Sequence, residues 1–137
     1  MNLKKDTEYA LRILSCLYNS GCVAIPFNSK KGMSLYDLCI KTGIPRISLQ
    51  RVCEKLKAKD LIAYIRADDN HSIRYQTIKD IEYCSLLSVI EALEGQCRMF
   101  LLFDQKTAYY HDNRHVFKGI DERYRRFFDT ILLKELL

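Results

Sequence analysis

The most constraining feature of this sequence is a break between two short helical patterns at residues 42–45, Thr-Gly-Ile-Pro. Gly43 can adopt the left-handed backbone conformation that ends many helices, because it has no Cβ. Pro45 has no amide proton to lose and suits the first position of the following helix. The break therefore predicts two helices joined by a tight turn, one ending near Lys41 and one running from about Pro45 to Lys59.

The flanking segments predict the elements around this pair of helices. Ser34 and Asp37 form a capping-box pattern that begins the first helix. Residues 6–18 carry apolar side chains at helical spacing, and residues 61–66 and 73–78 are rich in β-branched and aromatic residues. A helix, a helix-turn-helix and then a β-hairpin is the order of a winged helix-turn-helix, so we expect a mainly α fold with a small β-hairpin.

The second part of the chain predicts two more helices. Residues 85–94 form an amphipathic pattern that ends at Gly95. The stretch 96–120 has no readable periodicity, and residues 121–136 form a last helix with a wide apolar face. An exposed stripe of this kind is an aggregation hazard, so the face must pack on its own core or on a second copy. We expect a homodimer whose contacts come from Tyr124, Phe127, Phe128, Ile131 and Leu132.

The charge of the chain is divided unevenly along its length. The 137 residues are one domain or one domain with a short appendage. Residues 1–79 hold 14 Lys/Arg against 7 Asp/Glu, a net of +7, whereas residues 80–137 hold 8 against 10, a net of −2. We therefore expect a winged helix-turn-helix DNA-binding domain at 1–80. Residues 81–137 would form a second part with a linker helix and the dimerisation helix.

The helix that begins at Pro45 is the candidate for reading DNA. A major groove about 12 Å wide admits one α-helix, and this helix carries hydrogen-bond donors in its N-terminal half. Cations beside the hairpin tip can contact the phosphate backbone. The alternative is that these side chains form an ordinary solvated face. The candidate DNA-binding residues are Ser34, Arg46, Ser48, Gln50, Arg51, Lys55, Arg66, Asn70, His71 and Arg74.

Three blocks of the sequence resemble the Rrf-two family of transcriptional regulators, which includes repressors of the IscR, NsrR and CymR type. They are TEYALR at 7–12, GIP at 43–45 and LLSVIEALEG at 86–95. The resemblance covers about the first 95 residues. It implies a dimeric regulator that binds a dyad-symmetric operator, dimerises through the C-terminal helix and senses a signal after Gly95.

The hairpin tip departs from the pattern of that family. The family usually has a glycine-rich turn at this point, whereas residues 67–72 read Ala-Asp-Asp-Asn-His-Ser. The carboxylates of Asp68 and Asp69 repel phosphate, which argues against close insertion of the tip into the minor groove. Asn70 and His71 remain candidates for a contact there.

The cysteines are a second departure. Cluster-bearing members of the family place three cysteines after the 85–94 helix, whereas here Cys97 matches the first and none follows. Glu8 lies where some members supply a carboxylate ligand, and His111 and His115 are one helical turn apart. This is a poor donor set for an iron–sulfur cluster, so we expect no cofactor, although a mononuclear metal site stays open. Cys97 is either a redox-responsive thiol or an ordinary small side chain.

The function that fits these features best is sequence-specific DNA binding with a C-terminal segment that responds to a small-molecule or protein effector. The alternative is a winged-helix module that binds a protein or a structured RNA. The sequence has no glycine-rich phosphate loop, nucleophile elbow or H-E-x-x-H motif, so we do not expect an enzyme. It also has no signal-peptide pattern and no apolar run of about 18 residues, and we expect a cytoplasmic protein that does not enter a membrane.

Overall fold

The computed structural model describes residues 5–24, 31–66, 72–95 and 108–137, with side chains from residue 113 onward in the last range. The predicted fold class, mainly helical with a small antiparallel sheet, is confirmed. The described elements are α1 (Lys5–Asn19), β1 (Met33–Ser34), α2 (Leu35–Thr42), α3 (Arg46–Ala58), β2 (Ile62–Arg66), β3 (Ile73–Thr77), α4 (Leu86–Glu94) and α5 (Ala108–Thr130), with short 3-10 helices at Ile81–Tyr83 and Leu133–Glu135.

The predicted determinants of the start and end of α2 are confirmed, whereas the predicted start of α3 is corrected. Ser34 caps α2, since its side chain accepts a hydrogen bond of 3.2 Å from the backbone N–H of Asp37. Gly43 has a φ of 71°, the left-handed conformation that a side chain would strain. Pro45, however, is not the first helical residue. Its ψ of 142° is extended, so it is the N-cap residue and α3 begins at Arg46.

The predicted hairpin is confirmed as β2 and β3, and the structure adds a third strand to it. The strands lie in the order β1-β3-β2, all antiparallel, with Tyr75 of β3 opposite Met33 on one side and Tyr64 on the other. The two tyrosine rings meet edge to face with centroids 4.8 Å apart. β1 has two residues, too few for a strand pattern to be visible in the sequence. The hairpin tip, residues 67–71, lies outside the described residues.

Two clusters of buried side chains organise the described chain. The main core joins α1, α2, α3, the sheet and the inner side of α4, where Val89 and Leu93 are buried. The second cluster lies on the other side of α4, where Leu86, Leu87 and Ile90 pack against α5 and Leu11. α4 is therefore apolar on two sides and is the element on which both clusters depend.

The C-terminal helix differs from the prediction of a helix over 121–136. α5 ends at Thr130, and the next residues pair with the start of α4. The backbone N–H of Leu86 donates to the carbonyl of Ile131 at 2.8 Å, and that of Leu133 donates to the carbonyl of Cys84 at 2.8 Å. These bonds satisfy a donor that the first turn of α4 leaves open, and they bring Leu133 fully into the main core.

We expect Leu133→Ala to lower the free energy of unfolding by about 2–5 kcal/mol, because it removes a completely buried side chain and leaves a cavity. Leu136→Ala, three residues later on an exposed side chain, should change it by no more than about 0.5 kcal/mol. Urea unfolding of both variants measures the difference. Equal, small effects would show that the C-terminal tail does not contribute to the main core.

Candidate nucleic-acid interface

The α3 helix presents one side to the main core and the opposite side to solvent. Leu49, Val52, Cys53 and Leu56 are completely buried. The residues one half-turn away form what we call the reading face of α3, and all are exposed: Arg46, Ile47, Gln50, Arg51 and Glu54. Ser48, another predicted DNA-binding residue, is half-buried beside this face.

The turn that leads into α3 is fixed by side-chain hydrogen bonds. The hydroxyl of Thr42 donates to the carbonyl of Leu38 and accepts from the backbone N–H of Ile44 at 3.3 Å. A guanidinium nitrogen of Arg12, on α1, donates to the carbonyl of Thr42 at 3.0 Å. The angle between α2 and α3 is therefore set by polar contacts as well as by packing, and it positions the reading face.

Arg51 bridges the reading face to the first turn of α1. Its guanidinium donates two hydrogen bonds to the carboxylate of Asp6, at 2.7 and 3.3 Å. These bonds, followed by the charge of Asp6, raise the pKa of Arg51 above its ordinary value. An ion pair this exposed contributes little to stability, because water and salt screen it. It therefore orients Arg51 and leaves the guanidinium accessible to solvent.

Lys55 lies on α3 but points toward α4. Its Nζ donates to the carbonyl of Leu93 at 3.3 Å, in the last turn of α4, where a cation is favoured by the helix dipole. The side chain is half-buried, unlike the residues of the reading face. The sequence placed Lys55 among the DNA-binding residues, and the structure gives its ammonium group an internal partner.

The two wing arginines lie on neighbouring strands, at the end of the sheet that leads to the hairpin tip. Arg66, the last residue of β2, is exposed and pairs in register with Ile73. Arg74 lies opposite Ser34 in the sheet, and its guanidinium donates to the carbonyl of Gly32 at 3.3 Å. Arg66 is therefore the more accessible of the two cations. Asn70 and His71 lie outside the described residues.

The described cysteines do not form a metal site. Among the residues that the structure describes, no group of three or more His, Cys, Asp and Glu side chains is placed to hold a metal ion. Burial raises the pKa of Cys53 to about 12, so this thiol stays protonated. Cys97 lies outside the described residues, as does the side chain of His111, and His115 is exposed on α5. The Glu8 carboxylate pairs with Arg12 one turn along α1, at 2.5 Å.

The predicted dimerisation residues divide into two groups. Tyr124, Phe128 and Ile131 pack within the same chain, against the outer side of α4. Phe127 is 60% exposed and Leu132 is half-buried in the bridge to Ser85. Intrachain packing on α4 therefore accounts for a large share of the apolar stripe that the sequence showed.

Sequence reasoning missed several exposed residues on the reading face and beside it. On α3 these are Ile47 and Glu54, which face solvent on the side opposite Leu49, Val52 and Leu56. The signal was present, because position 47 is about half a turn out of phase with the buried positions. On α2, Tyr36 and Ile40 are 73% and 62% exposed. Tyr36 borders a groove of about 310 Å³ between α2 and Arg46.

Crossing a membrane requires a long apolar helix, and none of the helices in the described ranges of the chain meets that requirement.

The fold matches those of solved bacterial regulators. The structure of CymR, the global cysteine regulator of B. subtilis, is 15% identical, with a TM-score of 0.69 over 99% of this chain and 95% of that one. CymR of Staphylococcus aureus is 17% identical, with a TM-score of 0.65 over 97% and 95%. IscR of T. potens is 14% identical, with a TM-score of 0.65 over 99% and 86%. At these identities the likeness shows a shared fold.

Two further comparisons return nothing: no protein-family model matches the chain, and no curated protein matches it.

We expect Lys55→Ala to lower the free energy of unfolding by about 1–2 kcal/mol, because it removes a charge-assisted hydrogen bond between α3 and α4. Lys118→Ala is the matched control, an exposed lysine in the middle of α5, and it should change stability by no more than about 0.5 kcal/mol. Urea unfolding measures both. If the two variants are equally stable, the Lys55 contact does not hold α3.

Proposed function

We propose that the chain is a cytoplasmic, DNA-binding transcriptional regulator that acts as a homodimeric repressor on a dyad operator. The observation that carries this proposal is the reading face of α3, a row of exposed donors and acceptors on a helix whose opposite side is completely buried. A helix that reads base edges needs this combination of rigid support and free surface. The fold shared with CymR and IscR supports the same function.

Base recognition is assigned to the first half of α3. The amide of Gln50 can contact adenine with two hydrogen bonds, and the guanidinium of Arg46 can contact guanine in the same way. Ser48 is a third candidate. No side chain caps the N-terminus of α3, so its first backbone N–H groups are available to a phosphate oxygen.

Phosphate contacts are assigned to the wing and to the start of α2. Arg66 is the leading cation, with Arg74 on the neighbouring strand and Ser34 on the strand beyond it. Asn70 and His71, at the tip, stay predictions. Contacts of this kind set affinity and orientation without carrying sequence information.

Dimerisation and sensing are assigned to the C-terminal part. Val116 and Phe127 are exposed apolar residues on α5 and would contact a second copy. A two-fold dimer presents two copies of α3, which requires half-sites about one helical turn, or a multiple of it, apart. We assign the effector to the segment after Gly95, with Cys97 as a redox-responsive candidate and without a bound cluster.

A protein partner is the second candidate function, and one observation favours it. Tyr36 and Ile40 form an exposed apolar strip on α2, beside the reading face. Apolar strips of this kind are found at protein interfaces. A partner docked there would use the winged helix without reading bases.

The proposal is tested by selecting duplexes from a random pool on the purified protein. We expect a dyad sequence to be enriched, and its affinity to fall with rising salt, with a log–log slope of about −0.9 for each phosphate that the protein neutralises. Fluorescence titration between low and physiological salt measures the slope. Weak binding that is indifferent to sequence would contradict the proposal and favour the protein-binding alternative.

Two variants separate base reading from phosphate contact in the same assay. Gln50→Ala should relax discrimination at particular base pairs by about 1–3 kcal/mol. Arg66→Ala should weaken all duplexes alike and reduce the salt slope by about one phosphate. If both variants weaken every duplex uniformly, α3 does not read the bases.

A further inference from the structure

Ile47 is the most exposed large apolar side chain in the described part of the protein, with 79% of its surface accessible. It is the second residue of α3 and lies at the N-terminal end of the reading face. The buried side of α3, formed by Leu49, Val52 and Leu56, lies about half a turn away. Ile47 therefore cannot reach the main core, and packing among the described residues does not account for an isoleucine at this position.

Polar groups surround Ile47 on α3. Arg46 precedes it, Gln50 and Arg51 follow one turn later, and Glu54 lies one turn beyond them. A surface that docks on another protein is usually depleted of charge at its centre, with several apolar residues together. On α3 itself, one apolar side chain among four polar ones fits a small apolar target that is surrounded by hydrogen-bonding groups; the exposed apolar pair Tyr36 and Ile40 lies on α2.

We propose that Ile47 recognises the 5-methyl group of a thymine in the major groove and so determines specificity at one base pair in each half-site. This inference rests on the proposed function and deepens it. Among the groups that base pairs display in the major groove, the thymine methyl is the apolar one. It lies beside the hydrogen-bond donors and acceptors that polar side chains read. Arg46 and Gln50 would read the neighbouring base edges.

Charge favours DNA over a second copy of the chain as the occupant of this face. Residues 31–66, which contain α2, α3 and β2, hold eight Lys/Arg against three Asp/Glu, a net of +5. Two such surfaces repel each other, whereas a phosphate backbone attracts both. The uncapped N-terminus of α3 lies directly beside Ile47 and adds to the positive potential there.

The experiment removes the methyl group from the DNA without changing base pairing. The duplex that the wild-type protein selects is resynthesised with each thymine replaced in turn by deoxyuridine, which keeps every hydrogen-bonding group. For wild-type protein we expect a loss of about fourfold in affinity at one position of each half-site, the value of one buried methyl-sized group. Ile47→Ala should bind the thymine and deoxyuridine duplexes equally.

The matched control is Leu136→Ala, which removes an exposed aliphatic side chain far along the sequence from α3 and should keep the full sensitivity to deoxyuridine. Ile47→Ala should fold normally, since alanine has the higher helix propensity at an exposed site. Wild-type binding that is unaffected by every deoxyuridine overturns the inference and leaves the proposed function intact. A sensitivity to deoxyuridine that persists in Ile47→Ala also overturns the inference. If no duplex is enriched from the pool, the proposed function itself is contradicted.

The same variant tests the competing occupant. Sedimentation equilibrium of Ile47→Ala and wild-type protein should give the same oligomeric state. A shift of the variant alone toward monomer would show that a second copy covers Ile47, and would overturn the inference.

Discussion

The burial of one side of α3 is the interaction on which the rest of the structure depends. Leu49, Val52 and Leu56 remove their side chains from water against α1, the sheet and α4, and each is worth roughly 1.5–3 kcal/mol. This burial leaves the opposite side of the helix facing outward in a fixed orientation. The Gly43 turn and the contacts of Arg12 and Thr42 then set the direction of the helix relative to α2.

The α4 helix connects this arrangement to the C-terminal part of the chain. Its inner side belongs to the main core and its outer side to the second cluster with α5. Polar contacts repeat the same connections: Arg125 of α5 donates to Glu91 at 2.7 Å, and Thr7 of α1 donates to Glu94 at 3.1 Å. Lys55 of α3 binds the last turn of α4. A movement of α4 would therefore alter its contacts with α1, α3 and α5 together.

The sequence was a good guide wherever the determinant is local. The capping role of Ser34, the left-handed Gly43 and the hairpin strands depend on neighbouring residues, and all were predicted. The partners of Arg51 and Lys55 are 45 and 38 residues away in sequence, and no local pattern reveals such contacts. The last helix was predicted to run to residue 136, and that end was wrong for the same reason, because after Thr130 the chain leaves α5 to pair with the start of α4. The exposure of Ile47 was visible in the helical phase and was overlooked.

We expect the reading face of α3 to lie in the major groove of an operator. Protection of the selected duplex from dimethyl sulfate tests this most directly, because the reagent attacks guanine N7 in the major groove and adenine N3 in the minor groove. Bound protein should protect guanine N7 in each half-site, and Arg46→Ala should reduce that protection, because Arg46 is the residue assigned to guanine. If every guanine N7 stays reactive when protein fully occupies the duplex, α3 does not lie in the major groove.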